Sequence, residues 1–327
     1  MSLRLEAETK VWPLREPFTI SRGTQTECEV IVVTLDDGKH VARGEAVGVD
    51  YHGETLQSML QQVEEVRAKV ERGATRQELL KLLPPGGARN VIDIALWDLE
   101  AKRSGKRAWE LAGMPNAHPI ATTETIGIRS IAAFEERARQ LAKYEWIKIK
   151  VNASDPIGCV RAVRRGAPRS KLVVDANQAW DVKQLVEIAP ALVELKVDLL
   201  EQPVPIDGDE GLASVDLPIP VCADEPANTV EDLPRLIDRY DYVNIKLDKS
   251  GGLTAGLELA HAARAAGMKL MVGCMVGGSI AMAPGMIVAQ LCEVSDLDGP
   301  LLQAADWPNP IEYRDGVMSL PSRELWG

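Results

Sequence analysis

From about residue 120 onward, the hydrophobic pattern of the chain repeats. A short run rich in β-branched residues ends on a polar or charged residue, a loop follows, and then comes a segment with helical spacing. The runs are "IATTETIG", "WIKIKV", "KLVVDAN", "VDLLEQP", "IPVCADE", "YVNIKLD", "KLMVGCM" and "EVSDLDGP". Their ends at Lys150, Asp175, Glu201, Asp224, Lys246, Gly273 and Asp298 lie 22 to 27 residues apart, about one βα unit each. "SIAAFEERARQLAKY", "DPIGCVRAVRRGA", "VKQLVEIAPALVEL", "TVEDLPRLIDRY" and "TAGLELAHAARAAG" fit helices, the last closing on Gly267 as its C-cap. Eight strands with parallel crossovers predict an α/β fold of the TIM-barrel type. A doubly wound open sheet is the alternative, although no G-x-G-x-x-G follows a first strand.

The first part of the chain has a different rhythm. "LRLEAETKVWPL" and "CEVIVVTLDDGKHVARGEAV" alternate as antiparallel strands do, with "LDDG" as a hairpin turn. "ETLQSMLQQVEEVRAKVERG", "RQELLKLL" and the longer amphipathic "GGARNVIDIALWDLEAKRSGK" read as helices. Residues 1–119 are therefore expected to form an α+β domain and 120–299 the barrel. The turn-rich segment 300–327 is expected to pack back on the first domain.

Composition narrows the function. The 327 residues carry a formal net charge of −11, which argues against a nucleic-acid partner. No run approaches the roughly 18 apolar residues of a membrane span. The N-terminus lacks the basic start and apolar centre of a signal peptide, so a cytoplasmic protein is expected. Five scattered cysteines without a C-x-x-C pair read as buried thiols, and four dispersed histidines make a zinc site of His and Cys an unlikely design. The sequence leaves a homo-oligomer open.

The chemistry is concentrated at the strand ends, which in a (β/α) barrel form the active-site face. Lys148 and Lys150 are two apart in "IKIK" and so share one face of an otherwise buried strand. Asp175, Glu201 and Asp224 end three consecutive runs, Lys246 ends the next but one strand-and-helix beat after Glu201, and Asp296 and Asp298 close the last run. Singly, each acid also suits a helix N-cap or a turn. Three converging carboxylates would repel, and a divalent cation removes that repulsion. An all-oxygen set suits Mg²⁺. Lys150 and Lys246 fall almost opposite each other in a ring of eight strands. With pKa values lowered by burial near a cation, they could serve as bases on opposite sides of one carbon. Structural ion pairing with the acids is the plainer alternative.

"IKIK", "VVDAN", "LLEQP", "CADE", "VNIKLDKSGGLT" and "DLDGP" resemble the enolase superfamily in its muconate-lactonizing subgroup, and among its members the dipeptide epimerases. The resemblance covers essentially the whole chain. It implies a (β/α)7β barrel with an α+β capping domain, Mg²⁺ as cofactor and a small dipeptide as substrate. It also implies roles. Asp175, Glu201 and Asp224 correspond to the metal ligands, and Lys150 and Lys246 to the acid/base pair. Lys148 corresponds to the lysine that contacts the substrate carboxylate. Asp296 and Asp298 match the D-x-D element that holds a dipeptide's α-ammonium. Arg22, in "ISRGTQTE", and "DYHGET" around Tyr51 and His52 resemble the two cap loops that close over the site. Gln25 stands where a further basic residue is found in Ala-Glu enzymes, and Arg22 has either a substrate or a cap role. Thr125, Cys274 and Met275 are expected to line the pocket.

The motif series fixes the superfamily more firmly than the reaction. Cycloisomerases, o-succinylbenzoate synthases and N-acylamino-acid racemases share it. A Schiff-base aldolase using Lys246 would leave the three acids without a purpose, whereas a barrel that binds an anionic ligand without turnover would show Mg²⁺-dependent binding and no α-proton exchange. The glycines of "KSGG" and "VGGS" lack P-loop spacing and read as close-packing turns.

Overall fold

Strict alternation of apolar and polar residues builds the N-terminal sheet. The computed structural model describes residues 3–20 and 23–327. Strands β1 (Arg4–Ile20), β2 (Gly23–Asp36) and β3 (Val41–Ala46) pair antiparallel in that order. In β2 the two-residue period divides one apolar run between two cores. Ile31, Val33 and Leu35 join Met59, Val63, Val66, Leu79, Ile92 and Leu99 beneath the helices Leu56–Glu71, Arg76–Leu82 and Gly87–Ser104. Cys28, Val30 and Val32 face the other way, packing with Trp12 and Leu14 against Val276 of the barrel and Leu302 and Trp307 of the C-terminal segment. Thr55 with Ser58, and Thr75 with Glu78, form capping boxes that start the first two helices.

A second small sheet joins β4 (Ile120–Ala121) to strands near the C-terminus, as described below. The barrel itself is built from β5 (Glu124–Ile126), β6 (Trp146–Lys150), β7 (Lys171–Asp175), β8 (Leu199–Glu201), β9 (Val221–Ala223), β10 (Tyr242–Lys246), β11 (Lys269–Gly273) and β12 (Val294–Ser295). Each is parallel to its sequence neighbour. Thr123 N–H donates to Ser295 O at 2.8 Å and Leu297 N–H to Thr122 Oγ1 at 2.9 Å, which brings the first and last strands together. One parity of each strand packs outward against the helices, for example Leu172, Val174, Val243, Ile245, Leu270 and Val272. The other parity points inward, where Val173, Leu199, Cys222, Tyr242, Met271 and Val294 form a closed apolar layer with Trp146.

Two local expectations need correction, and one helix is added. "IATTETIG" is two strands: Ile120–Ala121 leaves the barrel and pairs with β14 (Val317–Met318), itself paired with β13 (Tyr313–Arg314). "TVEDLPRLIDRY" forms only a 3₁₀ turn, Val230–Asp232, and one helical turn, Leu233–Leu236, the latter opening with Pro234 in its first turn. A helix over Ser279–Ala289, absent from the helices read in the sequence, follows the glycines of "VGGS". It is almost entirely buried, so it has no polar stripe to announce it. Among the described residues, no helix is long and apolar enough to cross a membrane.

Gly44 of β3 lets the cap sheet and the helix Gly87–Ser104 close on each other. A Cβ there would lie 2.0 Å from Val91 O and 2.9 Å from Ile94 Cγ1. Gly44→Ala is therefore expected to destabilise the protein by about 1–3 kcal/mol or more through overpacking. The shift of the urea midpoint measures this, and an unchanged midpoint would contradict the close approach.

Candidate active site

The functional side chains continue the inward parity of the strands. Two residues beyond Val173, Leu199 and Cys222 of the apolar layer stand Asp175, Glu201 and Asp224. Two and four beyond Trp146 stand Lys148 and Lys150, and two and four beyond Tyr242 stand Asn244 and Lys246. Asp296 and Asp298 follow Val294 in the same step. A barrel whose lower interior is sealed by apolar side chains thus carries a charged layer directly above them.

Lys148 is the hub of that layer. Its ammonium lies 2.7 Å from Asp296 Oδ2, 2.7 Å from Glu201 Oε2 and 3.1 Å from Asp175 Oδ2. Burial opposes its charge, but Asp296, Glu201 and Asp175 outweigh burial and hold the ammonium well above its usual range. Lys150 donates to Asp175 Oδ2 at 2.5 Å, and Lys246 to Asp224 Oδ2 at 2.6 Å. Burial also opposes the charge of Lys246, yet Asp224 and Glu201 raise its pKa overall. The lowered value expected from the sequence belongs to a cation-bound site, in which Asp224 would be shared with the metal.

The acids are held individually. Asn244 Nδ2 donates to Glu201 Oε1 at 2.9 Å. Gly273 on the next strand leaves room for that amide, since a Cβ would approach Asn244 Oδ1 to 2.6 Å. Asp224 lies one residue past the end of β9, where the strand ladder no longer fixes it. Gln202 Oε1 accepts its N–H at 2.9 Å, and Lys249 donates to its Oδ1 at 2.7 Å and to its carbonyl. Gln202 adopts φ 35°, in the left-handed region, to make this contact. Thr123 Oγ1 donates to Asp296 at 2.5 Å, and Thr125 N–H to Asp298 Oδ2 at 2.6 Å. Thr125 thus orients the D-x-D pair.

Asp175, Glu201 and Asp224 offer only oxygen donors, which suits a hard divalent cation. Glu201 Oε2 is buried and accepts no hydrogen bond of good geometry, although the Lys148 ammonium is close by. Burial and then Asp175 push the Glu201 carboxyl up to about 8, against the opposing pull of Lys148. Among the described residues the three acids do not converge on one point. Asp175 is drawn to Lys150, and Asp224 to Lys246 and Lys249. The donor chemistry and the unsatisfied oxygen fit a bound cation, which would compete with the lysines for the same carboxylates.

Lys150 and Lys246 both line a cavity of about 920 Å³ between barrel and cap. Cys274 and Met275 line it after β11, and Gln25 and Phe18 from the N-terminal sheet. Asp50, Thr55 and Gln57 line it from the segment after β3. Arg22 falls outside the described residues. Lys249, Asn244 and Thr123 escaped the sequence reading. Lys249 carried a signal, three residues after Lys246 in "KLDKS", whereas Asn244 and Thr123 are ordinary strand residues until their partners are known.

The fold is a barrel with a separate N-terminal domain and a charged layer at one end, and comparison with known proteins gives its kin. The family described as "Enolase C-terminal domain-like" matches residues 131–324, and "Mandelate racemase / muconate lactonizing enzyme, N-terminal domain" matches residues 4–113. The chain belongs to the enolase superfamily and is an isomerase of its epimerase and racemase branch. It is 37% identical to the L-Ala-D/L-Glu epimerase of Escherichia coli K12, over 95% of this chain and 98% of that protein. It is 39% identical to an N-acetyl-D-glutamate racemase from a Pseudoalteromonas species, over 91% and 95% respectively. An enolase family member from Agrobacterium tumefaciens with homology to dipeptide epimerases was solved with bound sodium and L-Ala-L-Glu. It superposes with a TM-score of 0.97 at 41% identity, covering 99% of this chain and 100% of its own. The dipeptide epimerase of Enterococcus faecalis, solved with Mg and L-Leu-L-Tyr, gives 0.91 at 26% identity, covering 98% and 97%.

Asp298 generates a stability prediction. Burial and then Asp296 push its carboxyl up to about 7, above the roughly 3.9 of an unfolded aspartate. Between those values the folded state binds more protons than the unfolded one, so this group costs stability as pH rises through the window. Asp298→Asn is expected to raise the melting temperature at pH 8, with the gain shrinking toward about pH 4. Calorimetry at both pH values checks this, and a gain that is the same at both would contradict it.

Proposed function

We propose that this protein is a Mg²⁺-dependent dipeptide epimerase that inverts the α-carbon of the C-terminal residue, with L-Ala-D/L-Glu or a related dipeptide as substrate. The observation that carries this reading is the pair of lysines Lys150 and Lys246. They end β6 and β10, four strands apart in a ring of eight, and both reach the same cavity. A carbon held between them meets one amine on each face.

In this reading Asp175, Glu201 and Asp224 hold Mg²⁺. The cation would supply positive charge where a second negative charge develops on the substrate carboxylate. Lys148, fixed by Glu201 and Asp296, adds its ammonium to the same side. Lys150 in its neutral form takes the α-proton from the L-centre, and the ammonium of Lys246 returns a proton to the opposite face. The D-centre uses the pair in reverse. Asp298 and Asp296 receive the α-ammonium of the dipeptide. Asp296 already meets Lys148, which leaves Asp298 as the principal partner. Side-chain choice falls to the cap. There Gln25 supports a substrate range not limited to glutamate. Recycling of cell-wall peptides in the cytoplasm is the setting that such a substrate suggests.

The second reading is racemisation of N-acylated amino acids, favoured by the 39% identity to the Pseudoalteromonas N-acetyl-D-glutamate racemase. The two differ at the amine. Breaking a buried charge pair costs roughly 2–5 kcal/mol, about 30- to 4000-fold. N-Acetylation of the dipeptide is therefore expected to lower wild-type kcat/KM within that range. Asp298→Asn should lose a comparable factor on the free dipeptide, and the two changes together should lose less than their product. Equal turnover of free and acetylated substrates would support the second reading.

For the mechanism, EDTA should abolish epimerisation and Mg²⁺ restore it. Glu201→Gln should be inactive while remaining folded. Lys150→Ala and Lys246→Ala should each lower epimerisation by about 10²- to 10⁴-fold. Each variant should still exchange deuterium from D₂O into one substrate isomer, read by mass spectrometry. Normal epimerisation by either lysine variant would refute the two-base scheme.

A further inference from the structure

The chain just after Lys246 is the seat of the cap. The cap helix Gly87–Ser104 lies along this segment. Arg89 donates to the carbonyls of Ser250 at 2.6 Å and Gly251 at 3.0 Å. Asp93 accepts from Thr254 N–H at 2.9 Å and Thr254 Oγ1 at 2.6 Å. Within this seam one carboxylate does something different. Asp248, two residues after Lys246, is only 6% exposed, and its Oδ1 accepts three hydrogen bonds. They come from Val47 N–H at 3.0 Å, Gly48 N–H at 3.1 Å and Asn90 Nδ2 at 3.2 Å.

Val47 and Gly48 open the cap segment that runs along the cavity to Gln57. Gly48 adopts φ +85°, so two successive backbone N–H groups turn toward a single oxygen. Glu54 then closes the segment on itself, accepting Val49 N–H at 2.8 Å and Gly87 N–H at 2.9 Å. Asp248 is buried, and its Oδ1 is taken up by Val47, Gly48 and Asn90. It therefore acts on a substrate through the segment it grips.

We propose that Asp248 is a positioning residue for substrate selection: its Oδ1 fixes the segment Val47–Gln57 over the cavity at a set distance from Lys246. This rests on the reading of the cavity as the epimerase site. The strand that carries one base and the segment that meets the substrate side chain are thereby tied to the same two-residue step. A substrate whose side chain does not suit that spacing binds poorly, whereas the proton transfer at Lys246 is not altered. All three hydrogen bonds fall on one oxygen, so an amide can replace the carboxylate. An apolar group cannot, because it leaves buried donors without an acceptor.

The test compares Asp248→Asn with Asp248→Leu in the Mg²⁺-loaded protein, using L-Ala-L-Glu. Backbone hydrogen exchange of residues 47–57 is read by mass spectrometry, and KM and kcat by deuterium incorporation. Asp248→Leu is expected to speed exchange in that segment and raise KM, each by about tenfold or more, with kcat held within about threefold. Asp248→Asn should stay within about threefold of wild type in all three. Unchanged protection of the segment or an unchanged KM in Asp248→Leu would overturn the proposal, and so would a loss confined to kcat. If Asp248→Leu does not fold, Asn90→Ala removes one donor and leaves the carboxylate. It should shift exchange and KM in the same direction by a smaller factor, and no shift in either would overturn the proposal. If wild type exchanges no dipeptide α-proton, the epimerase reading fails, while segment protection still decides whether Asp248 grips the cap.

Discussion

Neutralising buried charge is the constraint around which this molecule is arranged. Asp175, Glu201, Asp224, Asp296 and Asp298 share one end of a barrel with Lys148, Lys150, Lys246 and Lys249, and all nine are buried. Such groups are tolerated inside a protein only when each finds a partner of opposite sign. Lys148 touches three of the acids, so its loss would strip Glu201 and Asp296 of their ammonium partner, while Asp175 would keep Lys150. The apolar layer below keeps water from reaching the charges from beneath. The cap above leaves only Lys150 and Lys246 of the lysines open to the cavity. A set of charges held this firmly can stabilise charge that appears during a reaction without first having to rearrange.

Much of this was legible in the sequence because two periods coincide. The beat of roughly 25 residues gives the barrel. Within each strand the period of two places Lys148 with Lys150, and carries the apolar interior upward into Asp175 and Glu201. Asp224 was found by its place in "CADE", although it stands past the strand end and depends on Gln202 and Lys249 for its position. Partners of that kind are not periodic. Asn244 and Thr123 become part of the site only because Glu201 and Asp296 come to them from distant strands. The helix Ser279–Ala289 was missed for a related reason: an element buried on every side shows no contrast between faces.

The cap was legible as secondary structure, but the division of its central strand between two cores was not. Its alternation announced a sheet, yet nothing in "VIVV" said that Val30 and Val32 would face the barrel while Ile31 and Val33 faced the cap helices. The same strand belongs to both cores. Glu45 shows how closely the domains are joined. Its buried carboxylate accepts from Trp12 Nε1 and Trp307 Nε1, each at 2.8 Å, and from Gly278 N–H at 2.9 Å. Sheet, C-terminal segment and barrel loop therefore meet on one side chain.

The small sheet beside the barrel has a consequence for how the chain reaches this state. Ile120 and Ala121 pair with Met318 and Val317, and Trp326 Nε1 donates to Ile94 O at 3.1 Å inside the cap helix. Residues about 200 apart in sequence must therefore meet before the entrance to the barrel and the seam between barrel and cap helix are complete. Contacts of that span require closing very long loops, which slows folding. A chain still emerging from the ribosome could form individual strand-and-helix units but not the closed structure. The cap shares one face of its sheet with Leu302 and Trp307, so cap and barrel are expected to gain and lose their structure together.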